Sequence, residues 1–358
     1  RRSRGNPLFA LQQLHAWALG GDLKLVDGKY RVPSEVLAVR PKTTAELWDS
    51  RVNALPEEHR LAAYATSTMS GDLRREVLRP LLRELGLPAD DALRSLQAAE
   101  IIIPRGPGRY SWPHALLQEH LFAQLSRRKD KRRIYRAAAD ALLRHPLAGT
   151  RRIVRQRVLN LLHAEDAEEA AQLLFDYLQA SWNGAREPLA TLSDLDLLRG
   201  KVHGRTRAIQ DRWRAEALRH VGRVNEAREY AERSKRTFTE LQDAENLAHC
   251  NRVLGHIASE LGNTQEGRRL AEQALATFAS LDHVLGQAQC EAVLGEIEYL
   301  LGDFESARAM VTAGERHFAS LDQPLGRGQC LLLLSWVEHS EGAVERSRRL
   351  ALEARAEF

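Results

Sequence analysis

The chain lacks the segments that would place it in a membrane or outside the cell. No apolar run approaches the roughly 20 residues that a membrane-spanning helix needs, and the chain does not open on a signal peptide. Only three of its 358 residues are cysteine, which excludes a disulfide scaffold. We therefore expect a cytoplasmic protein that has no membrane partner.

Aromatic residues and net charge are also low, which argues against nucleic acid as a partner. Aromatics make up 6% of the residues, and 48 acidic residues nearly balance 52 basic ones, leaving a net charge of +4. A polyanion-binding protein would show clustered excess positive charge. The abundance of Ala, Leu, Arg and Glu instead favours helix almost throughout.

Catalytic motifs are missing as well. The sequence contains no phosphate-binding loop of the Gly-x4-Gly-Lys-Ser/Thr kind and no pair of histidines at i, i+4. Its 13 histidines have no Ser-His-Asp or Cys-His context that would indicate nucleophilic catalysis. We expect no catalytic residue and no metal site, so that this chain alone is not an enzyme.

What the C-terminal part does contain is a repeat of 40 residues. Residues of one type recur in register at this spacing: Cys250, Cys290 and Cys330; Leu254, Leu294 and Leu334; Gly262, Gly302 and Gly342; Phe238, Phe278, Phe318 and Phe358. Each unit predicts two helices, such as 245–261 and 265–280, because apolar residues recur three and four apart. Gly262 is suited to end the first of these helices.

This pattern resembles the tetratricopeptide repeat (TPR) in its longer variety, as in Leu294-Gly295 followed by Gly302-Asp303-Phe304. The resemblance implies a mainly α protein whose residues 204–358 form a right-handed α-solenoid of helical hairpins that bind a protein or peptide. Equivalent positions in stacked repeats lie about 8–10 Å apart, too far for a disulfide. The cysteines are therefore interpreted as packing residues, and His249 and His256 as rim contacts between repeats.

The N-terminal half has no such period and predicts three further segments. Residues 1–55 form a helical segment with a β-hairpin at Asp27-Gly28. Residues 56–125 predict helices 57–69, 73–85 and 89–98, a second hairpin around 106–108 and a helix over 114–125, the layout of a winged helix. Residues 126–203 predict an irregular helical adaptor, whose basic run 127–133 we interpret as a solvated face rather than a polyanion site.

Two short motifs stand at helix starts in this order. Gly5-Asn6-Pro7-Leu8-Phe9 opens the first helix, and Arg109-Tyr110 precedes His114-Ala115-Leu116-Leu117 after the second hairpin. With the winged helix and the repeats, they resemble the bacterial STAND regulatory ATPases, signal-transducing switches related to the AAA+ class. The resemblance spans residues 5–358.

The resemblance implies a nucleotide pocket shared with an ATPase core upstream in cis. In that family a Gly-x-Pro element packs near adenine, which assigns Gly5 and Pro7 to ADP or ATP binding, and a winged-helix histidine contacts the ADP phosphate, which assigns His114. The chain would then be the lid, winged helix and sensor repeats of a parent ATPase that forms a homo-oligomer on activation.

Two other functions stay open. The repeats alone fit a stand-alone TPR-type receptor or scaffold for a peptide or protein. A winged helix also fits a DNA-binding regulator, although its third helix begins with Asp90-Asp91 and its wing offers only Arg105 and Arg109.

Overall fold

The computed structural model describes residues 14, 17–18, 23–26, 29–33, 44–181 and 187–358. Contacts divide the chain into two compact units, Arg1–Asp166 and Ala167–Phe358. The division falls inside the stretch predicted as an adaptor. Gly5 and Pro7 lie outside the described residues.

The first unit joins helices to two small antiparallel sheets. Its elements are β1 (Lys24–Val26), β2 (Lys29–Arg31), α1 (Thr44–Asn53), α2 (Glu57–Ser67), β3 (Leu73–Arg74), α3 (Arg75–Glu84), α4 (Ala89–Ala98), β4 (Ile103–Gly106), β5 (Arg109–Ser111), α5 (Ala115–Leu125), α6 (Lys131–Ala141) and α7 (Arg151–His163), with a 3-10 turn at Leu142–Arg144. One continuous apolar core joins α1 to α7, and its fully buried members include Leu78, Leu96 and Leu121.

The second sheet corrects one predicted helix. Leu73 and Arg74 are not helical but form β3, which pairs with Tyr110 and Arg109 of β5 in the strand order β3-β5-β4. The apolar spacing over 73–85 continues into α3, so the local pattern cannot show that its first two residues are captured by a distant strand. Three helices (α2, α3 and α4), the hairpin of β4 and β5, and α5 follow one another in the predicted order, and the winged-helix assignment stays a prediction.

The second unit begins with two helices and continues with four helical hairpins. The leading helices are α8 (Ala167–Ser181) and α9 (Pro188–Asp196). The hairpins, called repeats 1 to 4, are α10 (Gly204–His220) with α11 (Val224–Glu240), α12 (Ala244–Glu260) with α13 (Thr264–Ser280), α14 (Val284–Leu301) with α15 (Phe304–Ser320), and α16 (Pro324–Ser340) with α17 (Val344–Glu357). The mainly α repeat fold is therefore as predicted.

The 40-residue pattern corresponds to contacts inside and between the repeats. In repeat 2, Gly255 of α12 meets Gly267 of α13 so closely that a Cβ on Gly255 would lie 2.9 Å from the Gly267 carbonyl oxygen. Phe278 is fully buried, and its ring packs against Gly286 at the start of repeat 3. Small residues let the paired helices approach, and the phenylalanines join one repeat to the next.

The cysteines are packing residues, as predicted. All three are free and buried, and burial raises the pKa of Cys290 and of Cys330 to about 12. In repeat 1 the equivalent position is Gln210, whose Nε2 donates to the Leu195 carbonyl oxygen of α9 at 2.7 Å. No helix among the described residues is long and apolar enough to cross a membrane.

Candidate functional site

The first helices of the four repeats together line one cavity. It has a volume of about 250 Å³ and takes side chains from α10, α12, α14 and α16, with Phe318 added from α15. We call it the first-helix pocket. Its lining is polar on the side of repeats 1 and 2 and apolar on the side of repeat 4.

A buried ion pair forms the polar side. Arg252 of α12 donates from Nη2 and Nη1 to the two carboxylate oxygens of Glu216 on α10, at 2.9 and 3.4 Å. Both side chains are only 3% exposed. Burial alone would raise the pKa of Glu216, but the charges of Arg252 and Arg219 outweigh it and lower the pKa to about 2.

Two histidines extend the polar side. Burial, assisted by Arg219, lowers the pKa of His220 to about 4, so its neutral ring accepts a hydrogen bond from Arg219 Nη2 at 2.9 Å. His256 Nε2 lies 2.9 Å from Glu296 Oε2 in the next repeat. The predicted role of His256 as a contact between repeats is confirmed.

The opposite side of the pocket is apolar. Trp336 of α16 lies there with 47% of its surface exposed, beside Leu332 and Leu333 of the same helix and Val293 of α14. A large exposed aromatic next to a cavity is the kind of residue that anchors a bound peptide or protein segment, because it offers apolar area at little entropic cost.

Gln289 lies between the two sides of the pocket. It is 5% exposed, and its Oε1 is buried without a hydrogen-bond partner among the described residues. Buried polar groups almost always have a partner. A hydrogen-bonding group from a ligand in the pocket would supply one.

A second cluster has the composition of a metal site but not its hydrogen bonding. One possible ligand atom from each of Glu245, His249 and His283 lies within 4.8 Å of the others. However, His283 Nδ1 accepts a hydrogen bond from the Gly286 backbone N–H at 2.8 Å, which caps α14. The neutral ring then carries its proton on Nε2, the nitrogen that a metal would need. The charge of Arg212 beside His249 also disfavours a cation.

His114, the predicted phosphate contact, precedes α5 directly and is half-buried. Its side chain makes no capping hydrogen bond. A helix start offers backbone N–H groups and a positive dipole end to an anion. The phosphate contact stays a prediction, and Gly5 and Pro7 lie outside the described residues.

Three of the six basic residues in the run 127–133 have a partner within their own unit. Arg128 donates to both carboxylate oxygens of Asp130 at 2.8 Å, Arg132 forms an ion pair with Glu165, and Arg133 donates to the Glu84 carbonyl oxygen. These contacts agree with the interpretation of a solvated face.

The first-helix pocket was not predicted from the sequence, although the sequence contains a signal for it. Positions 216, 256, 296 and 336 stand in register and read Glu, His, Glu and Trp. In repeats 2 to 4 the packing positions before them stay constant, with cysteine six residues and leucine two residues earlier. When equivalent positions of a repeat vary although the neighbouring packing positions do not, the varying side chains indicate a binding surface and not a packing role.

Comparison with known proteins places the fold. No protein-family model and no curated protein sequence matches the chain. Among solved structures it is similar to a signal transduction ATPase with numerous domains (STAND) from Pyrococcus horikoshii, which carries a tetratricopeptide repeat sensor. That similarity has a TM-score of 0.53 at 12% identity and covers 89% of this chain and 53% of the other, so the chain spans about half of that protein.

Two further structures are less similar. Aspartyl phosphate phosphatase F of Bacillus subtilis gives a TM-score of 0.45 at 9% identity, covering 88% of this chain and 94% of the other. A Rap protein complexed with competence and sporulation factor gives 0.43 at 16%, covering 91% and 92%. Scores this low carry no argument. At 12% identity the first similarity shows the fold, a mainly α chain of TPR-like repeats.

Proposed function

We propose that this chain is the regulatory and sensor portion of a nucleotide-dependent signalling switch of the STAND type. In this proposal the repeats bind a peptide or protein segment in the first-helix pocket. The observation that carries the binding role is the pocket itself, which has a volume of about 250 Å³. Its lining includes the half-exposed Trp336 and the buried Glu216–Arg252 pair. Such a mixture of apolar wall and few polar groups is typical of ligand sites.

Peptide capture tests the binding role. We expect the protein to enrich ligands from a random nine-residue peptide library. The variant Trp336→Ala should bind the enriched peptides with roughly 30-fold lower affinity, since an anchoring tryptophan is worth about 2 kcal/mol or more. Affinities are measured by calorimetry. The control is Tyr30→Ala, which removes a 74% exposed aromatic from the first unit and should change nothing. Equal affinity in both variants would remove the pocket from the proposal.

The nucleotide role rests on the sequence resemblance and on the position of His114. ADP or ATP would bind in the full-length parent, with Gly5, Pro7 and His114 completing a pocket whose catalytic core lies upstream. The sequence itself contains no phosphate-binding loop. We therefore propose that the chain alone does not hydrolyse ATP and that the parent is the ATPase.

In the full-length parent, His114→Ala should speed ADP release by about 10- to 150-fold, the value of one hydrogen bond to a charged phosphate. Stopped-flow release of a fluorescent ADP measures this rate. His203→Ala is the matched control, because His203 also precedes a helix, α10, without making a side-chain cap. Unchanged release in His114→Ala would leave His114 as an ordinary residue at a helix start.

The contacts of the hairpin arginines do not favour the DNA-binding alternative, because these side chains are engaged within the protein. Arg109 donates to both carboxylate oxygens of Asp72, and Arg105 Nε donates to Ser111 Oγ at 2.9 Å. Asp90 on α4 is engaged by Arg75 and Arg79. The stand-alone receptor remains the second candidate, since the pocket serves it equally well, and an upstream phosphate-binding loop in the parent would decide against it.

A further inference from the structure

Arg212 of α10 is a buried cation that forms no ion pair with any described residue. The residue is 6% exposed, and its Nε is buried without an acceptor. No carboxylate in the described part of the chain lies within ion-pair distance of it, and Glu216 and Glu245 act on it only from further away. The Trp213 ring centroid lies 4.8 Å from the guanidinium carbon. An unpaired buried charge is costly to a folded protein.

The next repeat shows how such a cation is normally accommodated. Arg252 stands 40 residues after Arg212, at the equivalent position of α12, and forms its ion pair with Glu216. The two arginines therefore share a position and a degree of burial but differ in pairing.

The surroundings of Arg212 contain two unused donors for an anion, beside the Glu216 and Glu245 carboxylates. Arg212 precedes Glu216 by four residues, so the two lie on one face of α10, next to the first-helix pocket. His249 of α12 is also buried, and its Nδ1 has no hydrogen-bond partner among the described residues. Burial and the charges of Arg212 and Arg252 hold the pKa of His249 well below its usual range. A neutral imidazole carries one N–H that can donate to an incoming oxygen.

We propose that Arg212, with His249, binds an acidic side chain of the peptide whose apolar residue occupies the first-helix pocket. This inference rests on the proposed peptide-binding function and specifies its ligand. Arg212 and His249 do not line the first-helix pocket itself. In this proposal the acidic side chain extends beyond the pocket lining, along α10 and α12, while the apolar residue stays in the pocket. The ligand is thus a peptide with an apolar residue near an acidic one.

Two measurements on Arg212→Met test the proposal. Binding of peptides enriched from the random library should weaken by about 10- to 150-fold, the range for a lost hydrogen-bonded charge contact. Without peptide, the melting temperature of the variant should rise, because an unpaired buried charge is removed and its volume kept. An arginine with a purely structural role would instead lower the melting temperature when replaced. Arg252→Met, at the equivalent paired position, serves as that comparison and should melt lower than wild type.

The peptide supplies an independent test that leaves the protein unchanged. Replacing the acidic residue of an enriched peptide by its amide (Glu→Gln or Asp→Asn) should weaken binding to the wild type but not to Arg212→Met, whereas amidating the peptide C-terminus should affect neither. Enriched peptides without an acidic residue, or equal binding of acid and amide, would overturn this inference alone. A peptide bound through its C-terminal carboxylate would also overturn it. No enrichment at all would overturn the proposed function as well.

Discussion

Replacing Arg252 with methionine is expected to lower the free energy of unfolding by about 3–5 kcal/mol, because it leaves the Glu216 carboxylate buried without its partner. The pair is 3% exposed on both sides, so water cannot take over the role of the guanidinium. Urea unfolding followed by circular dichroism at pH 7 measures the change. Arg223→Met, which breaks the exposed pair with Glu226, is the control and should leave the midpoint unchanged.

The double variant Arg252→Met with Glu216→Leu checks the cause. Replacing a whole buried pair by apolar residues is often neutral, so the double variant should recover most of the loss. If it is as unstable as Arg252→Met, packing rather than the stranded charge accounts for the effect.

Acid provides a second check on Glu216. Its pKa is depressed to about 2 in the folded protein, against about 4.3 in an unfolded chain. The stabilisation is therefore complete above pH of about 4.3 and is lost as the pH falls towards 2. A variant with leucine at position 216 should lack this part of the acid dependence.

Deleting one complete repeat is expected to leave a folded protein, whereas deleting half of one is not. Removal of 281–320 takes out α14 and α15 together and puts Leu321-Asp322 where Leu281-Asp282 stood. Stacked repeats contact mainly their neighbours, so stability should fall without loss of helical structure. Removal of 281–300 instead leaves α15 without its partner and exposes its apolar side. Circular dichroism and gel filtration should show a monodisperse helical protein only for the 40-residue deletion; if the two deletions behave alike, the repeat assignment is wrong.

Much of the fold could be predicted because it depends on short-range patterns. The apolar spacing and the in-register glycines predicted helices 245–261 and 265–280, which the structure gives as Ala244–Glu260 and Thr264–Ser280. Gly262 lies at φ +85 after α12, the left-handed position that ends a helix. These signals lie within one helix and one turn, so the sequence alone is enough to predict where the helices begin and end.

What could not be predicted depends on distant partners. The strand at Leu73-Arg74 exists because of pairing with β5, some 36 residues away. Arg212 and Arg252 stand at equivalent positions, and both could pair with Glu216. The sequence does not show that the Glu216 carboxylate pairs with Arg252 of the next repeat. The first-helix pocket likewise needs side chains from four repeats to be placed together.

Hydrogen exchange with a bound peptide tests the central claim most directly, namely that the first helices of the repeats form the binding site. Mass spectrometry of the full chain, with and without a peptide enriched from the random library, reports which helices become protected. We predict slower exchange in α10, α12, α14 and α16, with α11, α13 and the first unit unchanged. Protection confined to the second helices, or to the first unit, would contradict the account.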